Sequence, residues 1–251
     1  RIPNYGQNDV QVDGILTAPT WDEASGTGGV VALVAKKLIL NANIDVIGSG
    51  FKGTQMLNNG TPDNCSVTPT SAFTLSSTAS QSFTKGEGIV VNDNAFNRGR
   101  GPRANGGGSG ISGDSGGGGG SNFGAGGTGG KRWCDEFGAV AGGIGGVSLA
   151  SYFPEDRVFL GGAGGSGFVT TNNPSDATDG GGIVILFVET LVGNGFSILA
   201  DGTSPVGVNP TGAPDGGGGG GGGGTVLLKV QEIQGSLTIS TNGGDGQDLN
   251  T

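Results

Sequence analysis

The stretch Gly113-Asp-Ser-Gly-Gly117 has the spelling of a serine-hydrolase nucleophile and also fits the G-x-S-x-G elbow. A serine hydroxyl attacks a carbonyl only when a base, normally histidine, stands beside it. This chain of 251 residues has no histidine. The elbow also needs a strand before the serine and a helix after it, whereas both flanks here are glycine-rich. With 59 glycines, short Gly/Ser matches arise by chance. Gly124-Ala-Gly-Gly-Thr-Gly129 fits G-x-G-x-x-G but lacks the strand and helix that a dinucleotide site requires. Gly243-Gly-Asp-Gly-Gln-Asp248 resembles one calcium-binding nonapeptide, yet it occurs once, and Asn250 stands where a large apolar residue belongs. Asp135 and Glu136 are adjacent, so in an extended chain their carboxylates point apart and read as solvated. No catalytic, metal-binding or cofactor-binding residue is predicted, and no enzyme.

Two sets of residues remain. Arg98, Arg100 and Arg103 cluster at the entrance to the glycine-rich region. Their guanidinium groups suit either an anionic ligand or the free carbonyls that glycine tracts leave in number; the structural role is the expectation. Cys65 and Cys134 lie too far apart in sequence for a metal site or a redox pair. They read either as two buried thiols or as a disulfide, and the disulfide is the prediction. Such a bridge would constrain the unfolded chain by about 4 kcal/mol in the loop-entropy model and would imply export.

The composition excludes several functions. The net charge is −9, with no basic stripe to track phosphates, so nucleic acid is not an expected partner. No apolar run approaches the ~20 residues of a membrane helix. Residues 1–5 lack the make-up of a signal peptide, so the chain reads as a processed product or as part of a longer polypeptide. Glycine without a Gly-X-Y period excludes collagen and would suit disorder. Apolar runs such as Val30-Val-Ala-Leu-Val-Ala35 and Ile183-Val-Ile-Leu-Phe-Val188 must nevertheless be buried.

A pattern recurs three times: a glycine pair (28–29, 181–182, 223–224), a strand, a polar corner and a large apolar residue (Leu38, Leu191, Ile233). A turn and a second strand then follow, opening at Ile44, Phe196 and Leu237. The turn shortens from copy to copy. Stacked coils of a parallel β-solenoid have this signature. The prediction is an all-β chain, essentially without α-helix, with strands at 30–35, 44–47, 183–188, 196–200, 225–230 and 237–240. Residues 10–18 would form a partial coil capping the stack. The first strands of the first two copies are apolar on both faces, which predicts a second covering layer, with the glycine-rich middle as the candidate.

That middle, residues 97–182, together with the nine glycines at 216–224, suits packed polyglycine II helices, which have three residues per turn and no internal hydrogen bonds. The tract at 216–224 is expected to bundle with those near 116–120 and 142–146. One domain over 1–251 is expected. Its strand-rich coils lie at 1–53 and 179–251, a Ser/Thr-rich excursion at 54–96, and the glycine-rich bundle at 97–182.

Several blocks together resemble the glycine-rich N-terminal region of very large secreted surface proteins of Bacteroidota. They are Pro3-Asn-Tyr5, Gly14-Ile-Leu-Thr-Ala18 with Trp21, Gly28-Gly-Val-Val-Ala32 and Lys85-Gly-Glu-Gly-Ile89. Gly99-Arg-Gly-Pro-Arg-Ala-Asn-Gly-Gly107, Arg157-Val-Phe-Leu-Gly-Gly162, Gly180-Gly-Gly-Ile-Val-Ile185 and the tract 216–224 with Thr225-Val-Leu-Leu-Lys229 complete the set. The resemblance implies secretion by a type IX system and a role in adhesion or gliding motility. It transfers no ligand residues, and the family's C-terminal sorting domain is not visible here. The expected function is an extracellular, non-catalytic structural or adhesive module of a cell-surface protein. Its partner, polysaccharide or protein, is left unnamed. The alternatives are a self-assembling filament or sheath subunit and a receptor-binding tip built on a polyglycine sandwich.

Overall fold

The computed structural model describes residues 2–54, 73–74, 84–90, 97–132, 134, 142–155, 157–168, 176–206 and 216–247. Among these, the regular secondary structure is all β apart from one 3-10 segment, Ala150–Glu155. Seven strands form two sheets. β1 (Asp9–Val12), β2 (Val30–Leu40), β4 (Ile183–Val192) and β6 (Thr225–Gln234) pair in that order. β3 (Ile44–Asp45), β5 (Ser197–Leu199) and β7 (Thr238–Ser240) form the second sheet. Every pairing is parallel.

The recurrent glycine pairs fix the register. Val30, Ile183 and Thr225, each the residue after a pair, stand opposite one another, as do Leu38, Leu191 and Ile233. Gly28 and Gly29 have φ of +107° and +74°, and a Cβ on Gly28 would overlap the Thr20 carbonyl. The entry to β2 therefore requires glycine for backbone shape as well as for space.

At the expected corner the strands bend but do not end. In β2 the buried positions are Val31, Leu33 and Ala35, then Leu38 and Leu40. In β4 they include Val184, Leu186 and Val188, then Leu191. The alternation slips by one at Lys36-Lys37 and at Glu189-Thr190, which returns the next apolar residue to the interior. Pairing skips Lys36, Glu189 and Gln231 and resumes at the following residue, so β2 continues five residues beyond its predicted end and β4 and β6 four each.

The second strands need a register correction. Ile44 pairs with Ile198, and Ile198 with Ile239. Phe196 lies in the preceding turn, where its amide donates to Gly193 O at 2.9 Å. The turn therefore does not shorten from copy to copy: the connections are residues 41–43, 193–196 and 235–237. Complete burial of both Ile44 and Ile198 favours their pairing over the spacing suggested by Phe196.

Residues 4–16 line one edge. β1 pairs with the distal half of β2, Asn4 bridges to Val34, and Leu16 bridges to Ile44. The main core lies between the sheets and includes Leu38, Leu40, Val184, Leu186, Leu191 and Ile198. Among the described residues, the glycine-rich middle does not cover the outer face of β2 and β4. Val34 and Phe187 there stay half-buried. A second cluster of Phe51, Leu160 and Ala163 reaches only Ile183 and Ile185, at the start of β4. The middle instead continues the strands lengthwise: Gly161 donates to Gly181 and Gly181 to Gly222, both at 2.9 Å.

Candidate functional site

The glycine tracts bond to one another with a period of three. Gly116 and Gly119 donate to Gly130 and Gly127, at 3.0 and 2.8 Å. Gly117 and Gly120 donate to Gly217 and Gly220, both at 2.9 Å. Gly118 and Ser121 donate to Gly108 and Asn105, both at 2.8 Å. The same tract accepts from Gly143 and Gly146, and from Gly162 and Gly165, at 2.8–2.9 Å. Residues 116–121 thus have five extended neighbours. The tract 216–224 contacts 116–121 directly, whereas 142–146 packs on the far side of 116–121. A Cβ on most of these glycines would overlap a neighbour's backbone, so the close approach of the chains selects glycine.

Two asparagines that sequence inspection passed over close the tracts. Asn122 Nδ2 donates to the carbonyls of Gly223 and Gly224 at 2.9 and 3.0 Å. Asn105, fully buried, donates to Leu160 O at 3.1 Å and accepts from the Ile89 amide at 2.9 Å. Their signal was position: each adjoins a glycine run, where carbonyls lose partners.

The motif residues fall as follows. Ser115 is buried, and its hydroxyl accepts from the amides of Ile111 and Ser112 at 3.1 and 3.4 Å. It closes a tight turn in which Asp114 has φ of 55°. Residues 124–129 run as one of the extended tracts. Gly244 and Gln247 donate to Gly221 and Gly218 at 2.7 and 3.0 Å, so the calcium-like segment also joins the array; its Asp248 lies outside the described residues. So do Asp135, Glu136 and Cys65. Cys134 is disulfide-bonded. Among the described residues, no group of three or more His, Cys, Asp or Glu residues could hold a metal ion, and no helix is long and apolar enough to cross a membrane.

The three arginines do not form one cluster of free charge. Arg100 Nε donates to Gly142 O at 3.3 Å. Arg103 Nε donates to Val90 O at 3.0 Å, and its guanidinium pairs with Glu23 at 2.8 Å. Arg98 pairs through its backbone bridge to Thr84.

Arg103, with the buried Lys85 and Glu87, belongs to a charged group that the sequence did not announce. Glu87 accepts from the Lys52 amide at 2.7 Å and shares a carboxyl–carboxylate hydrogen bond with Glu23. Burial, then Glu23, pushes its pKa up to about 7. Burial, then the charge of Arg103, lowers Lys85 to about 8. Lys52 pairs with Asp179 at 2.6 Å, and Asp179 also accepts from the Gly53 amide at 2.7 Å. These contacts tie residues 22–27, 51–54, 84–90 and 176–180 together.

The most exposed cluster of recognition-type side chains is aromatic. Phe153 meets Phe123 and Phe159 edge-on, with ring centroids 5.4 and 5.6 Å apart. Tyr152 meets Phe159 at 6.5 Å, and Arg157 lies 5.9 Å above the Tyr152 ring. Phe123 is 65% exposed and Tyr152 45%. A rigid, partly open surface of rings with an adjacent cation suits sugar faces and apolar protein anchors alike. Comparison of the chain with protein-family models, curated proteins and solved structures finds no match.

Proposed function

We propose that the chain is an extracellular, non-catalytic structural or adhesive module. In it, a solenoid-like stack of parallel rungs runs into a packed polyglycine II bundle. The observation that carries this reading is the period-three exchange of hydrogen bonds between residues 116–121 and their neighbours, the repeat of a polyglycine II chain. A body held by backbone bonds and bent rungs is stiff, which suits display rather than turnover. The disulfide-bonded state of Cys134 supports an oxidising, exported location. The resemblance to surface proteins of Bacteroidota supports a cell-surface role, secretion by a type IX system and a part in adhesion or gliding. The platform of Phe123, Tyr152 and Phe159 is the adhesive face in this reading, with a polysaccharide or protein partner.

The test is retention of purified protein on immobilised bacterial polysaccharides and on extracellular-matrix proteins. Tyr152→Ala combined with Phe123→Ala should abolish retention on whichever surface binds, with the melting temperature almost unchanged. Retention of the double variant at wild-type level would refute the platform.

A specific observation favours the filament reading as the second. Ile239 is 45% exposed and Ile233 is 52% exposed, while their register partners Ile198 and Leu191 are fully buried. The β6–β7 end of the stack is an open parallel edge, suited to another rung from outside. Concentration-dependent sedimentation that disappears in Ile239→Lys would establish end-on association.

A further inference from the structure

We infer that a groove between four glycine tracts is a docking site for an extended, glycine-rich segment from outside residues 1–251, in a Gly-Gly-X repeat. The inference rests on the polyglycine II reading above.

An extended three-fold chain has six directions around it, alternately those in which it donates and those in which it accepts. Five are filled around residues 116–121. The unused direction belongs to the carbonyls of Gly117 and Gly120, which accept no hydrogen bond among the described residues. Residues 216–224 show the complement. Their amides at 216, 219 and 222 donate to Phe168, Gly165 and Gly162, and those at 221 and 224 to Thr203 and Ala200. Their carbonyls at 217–222 all accept. The unused direction belongs to the amides of Gly217 and Gly220, which have no acceptor among the described residues.

Both unused directions meet in one groove. Its floor is residues 116–117, 119–120 and 217–221, and its walls are residues 125–131 and 243–247. On the walls, the amides of Gly127 and Gly130 and the carbonyl of Gly244 are also without partners among the described residues. Around the groove the order is donors, acceptors, donors, acceptors, each repeating every third residue where a pair is present. That is the sequence of groups a seventh polyglycine II chain would complement on four of its six sides. The two open sides leave one side-chain column in three free to face solvent, hence Gly-Gly-X.

The chain cannot supply the occupant itself. Outside the described residues its sequence contains no two consecutive glycines, and the runs inside them are already built into the array. A second copy of residues 1–251 has the same limitation, so the occupant proposed is a glycine-rich segment from outside these residues.

The probe is the peptide (Gly-Gly-Lys)4, with (Ala-Ala-Lys)4 as its charge-matched control, read by amide hydrogen exchange in NMR spectra. The glycine peptide should slow exchange at Gly127, Gly130, Gly217 and Gly220 by about tenfold or more, and the alanine peptide should not. Gly119→Leu should abolish the effect. A Cβ there meets Gly127 N at 3.4 Å and Gly220 O at 3.5 Å, in ordinary contact, and the side chain projects between the two tracts. Gly124→Ala, outside the groove and with nothing within 4 Å of its Cβ, should preserve it. Equal slowing by both peptides, no slowing, or full slowing in Gly119→Leu would each overturn the proposal. The free protein separates the two levels. Protected amides at Gly118, Gly165 and Gly219 with no peptide effect would leave the bundle standing and remove only the docking site. Unprotected amides there would overturn both.

Discussion

The amide of Gly117 donates to the carbonyl of Gly217 at 2.9 Å, joining two tracts 100 residues apart in sequence. Both residues are buried, and at neither is there room for a side chain: a Cβ on Gly117 would overlap Gly165 O, and one on Gly217 would lie 2.9 Å from Gln247 Cβ. The same holds at Gly220, where a Cβ would overlap the carbonyl oxygens of Gly244 and Asp245. Gly220→Leu should therefore destabilise the fold by about 3 kcal/mol or more, on the scale of severe overpacking. Gly127→Ala, in open space, should be neutral or stabilise by about 0.5 kcal/mol through the unfolded state. Thermal melts of the two variants give opposite signs. A Gly220→Leu protein melting at or above the wild-type temperature would show that residues 216–224 act as a linker.

Leu191 and Ile233 occupy the same register position on adjacent strands, but Leu191 is fully buried and Ile233 is 52% exposed. Leu191→Ala should cost about 2–5 kcal/mol through lost burial and a cavity. Ile233→Ala should cost less than about 1 kcal/mol. Urea titrations of both variants would check this. Equal losses would mean that the β6 edge is covered in solution, as end-on association would require.

The first strands were legible because two constraints coincide in them: a glycine pair fixes where the chain enters, and an apolar run fixes what it buries. Val30, Ile183 and Thr225 accordingly align as the sequence predicts. The second strands carried a weaker signal. Phe196 and Ile198 have the same alternation and either could match Ile44; burial between the sheets selects Ile198. The bend was legible as a polar corner at Lys36-Lys37, but alternation alone cannot reveal that the ladder runs through it. Hydrogen bonding in the glycine region could not be read at all, because identical residues carry no register. The contact between Glu23 and the buried Glu87 was hidden for another reason. Each carboxylate is unremarkable in sequence, and only the packing of distant segments brings them together.

Cys134 is disulfide-bonded, and the chain has only one other cysteine, Cys65. Thiol titration in denaturant without reductant should find no free thiol, and about two per chain after reduction. Loss of the bridge in Cys134→Ser should lower the melting temperature. Two thiols before reduction would refute the Cys65–Cys134 pairing.

Glu87 and Lys85 together give the stability a pH profile whose sign follows from their shifts. Glu87 has its folded pKa raised to about 7 from 4.5. Between those values the folded protein holds a proton that the unfolded chain has released, so stability falls as pH rises through that window. Lys85 has its folded pKa lowered to about 8 from 10.5. Between those values the unfolded chain binds the extra proton, so stability rises with pH there. The melting temperature should therefore decline from pH 5 to pH 7, pass through a minimum near pH 7–8, and recover towards pH 10. Glu87→Gln keeps a group of similar shape at the Lys52 amide and beside Glu23 but cannot ionise. It should flatten the acid limb by most of its amplitude and leave the alkaline limb intact. Lys85→Met should do the reverse. Calorimetric scans across this range in buffers of matched ionic strength would decide it. An acid limb that survives in Glu87→Gln would place the titrating group elsewhere than the Glu23–Glu87 pair.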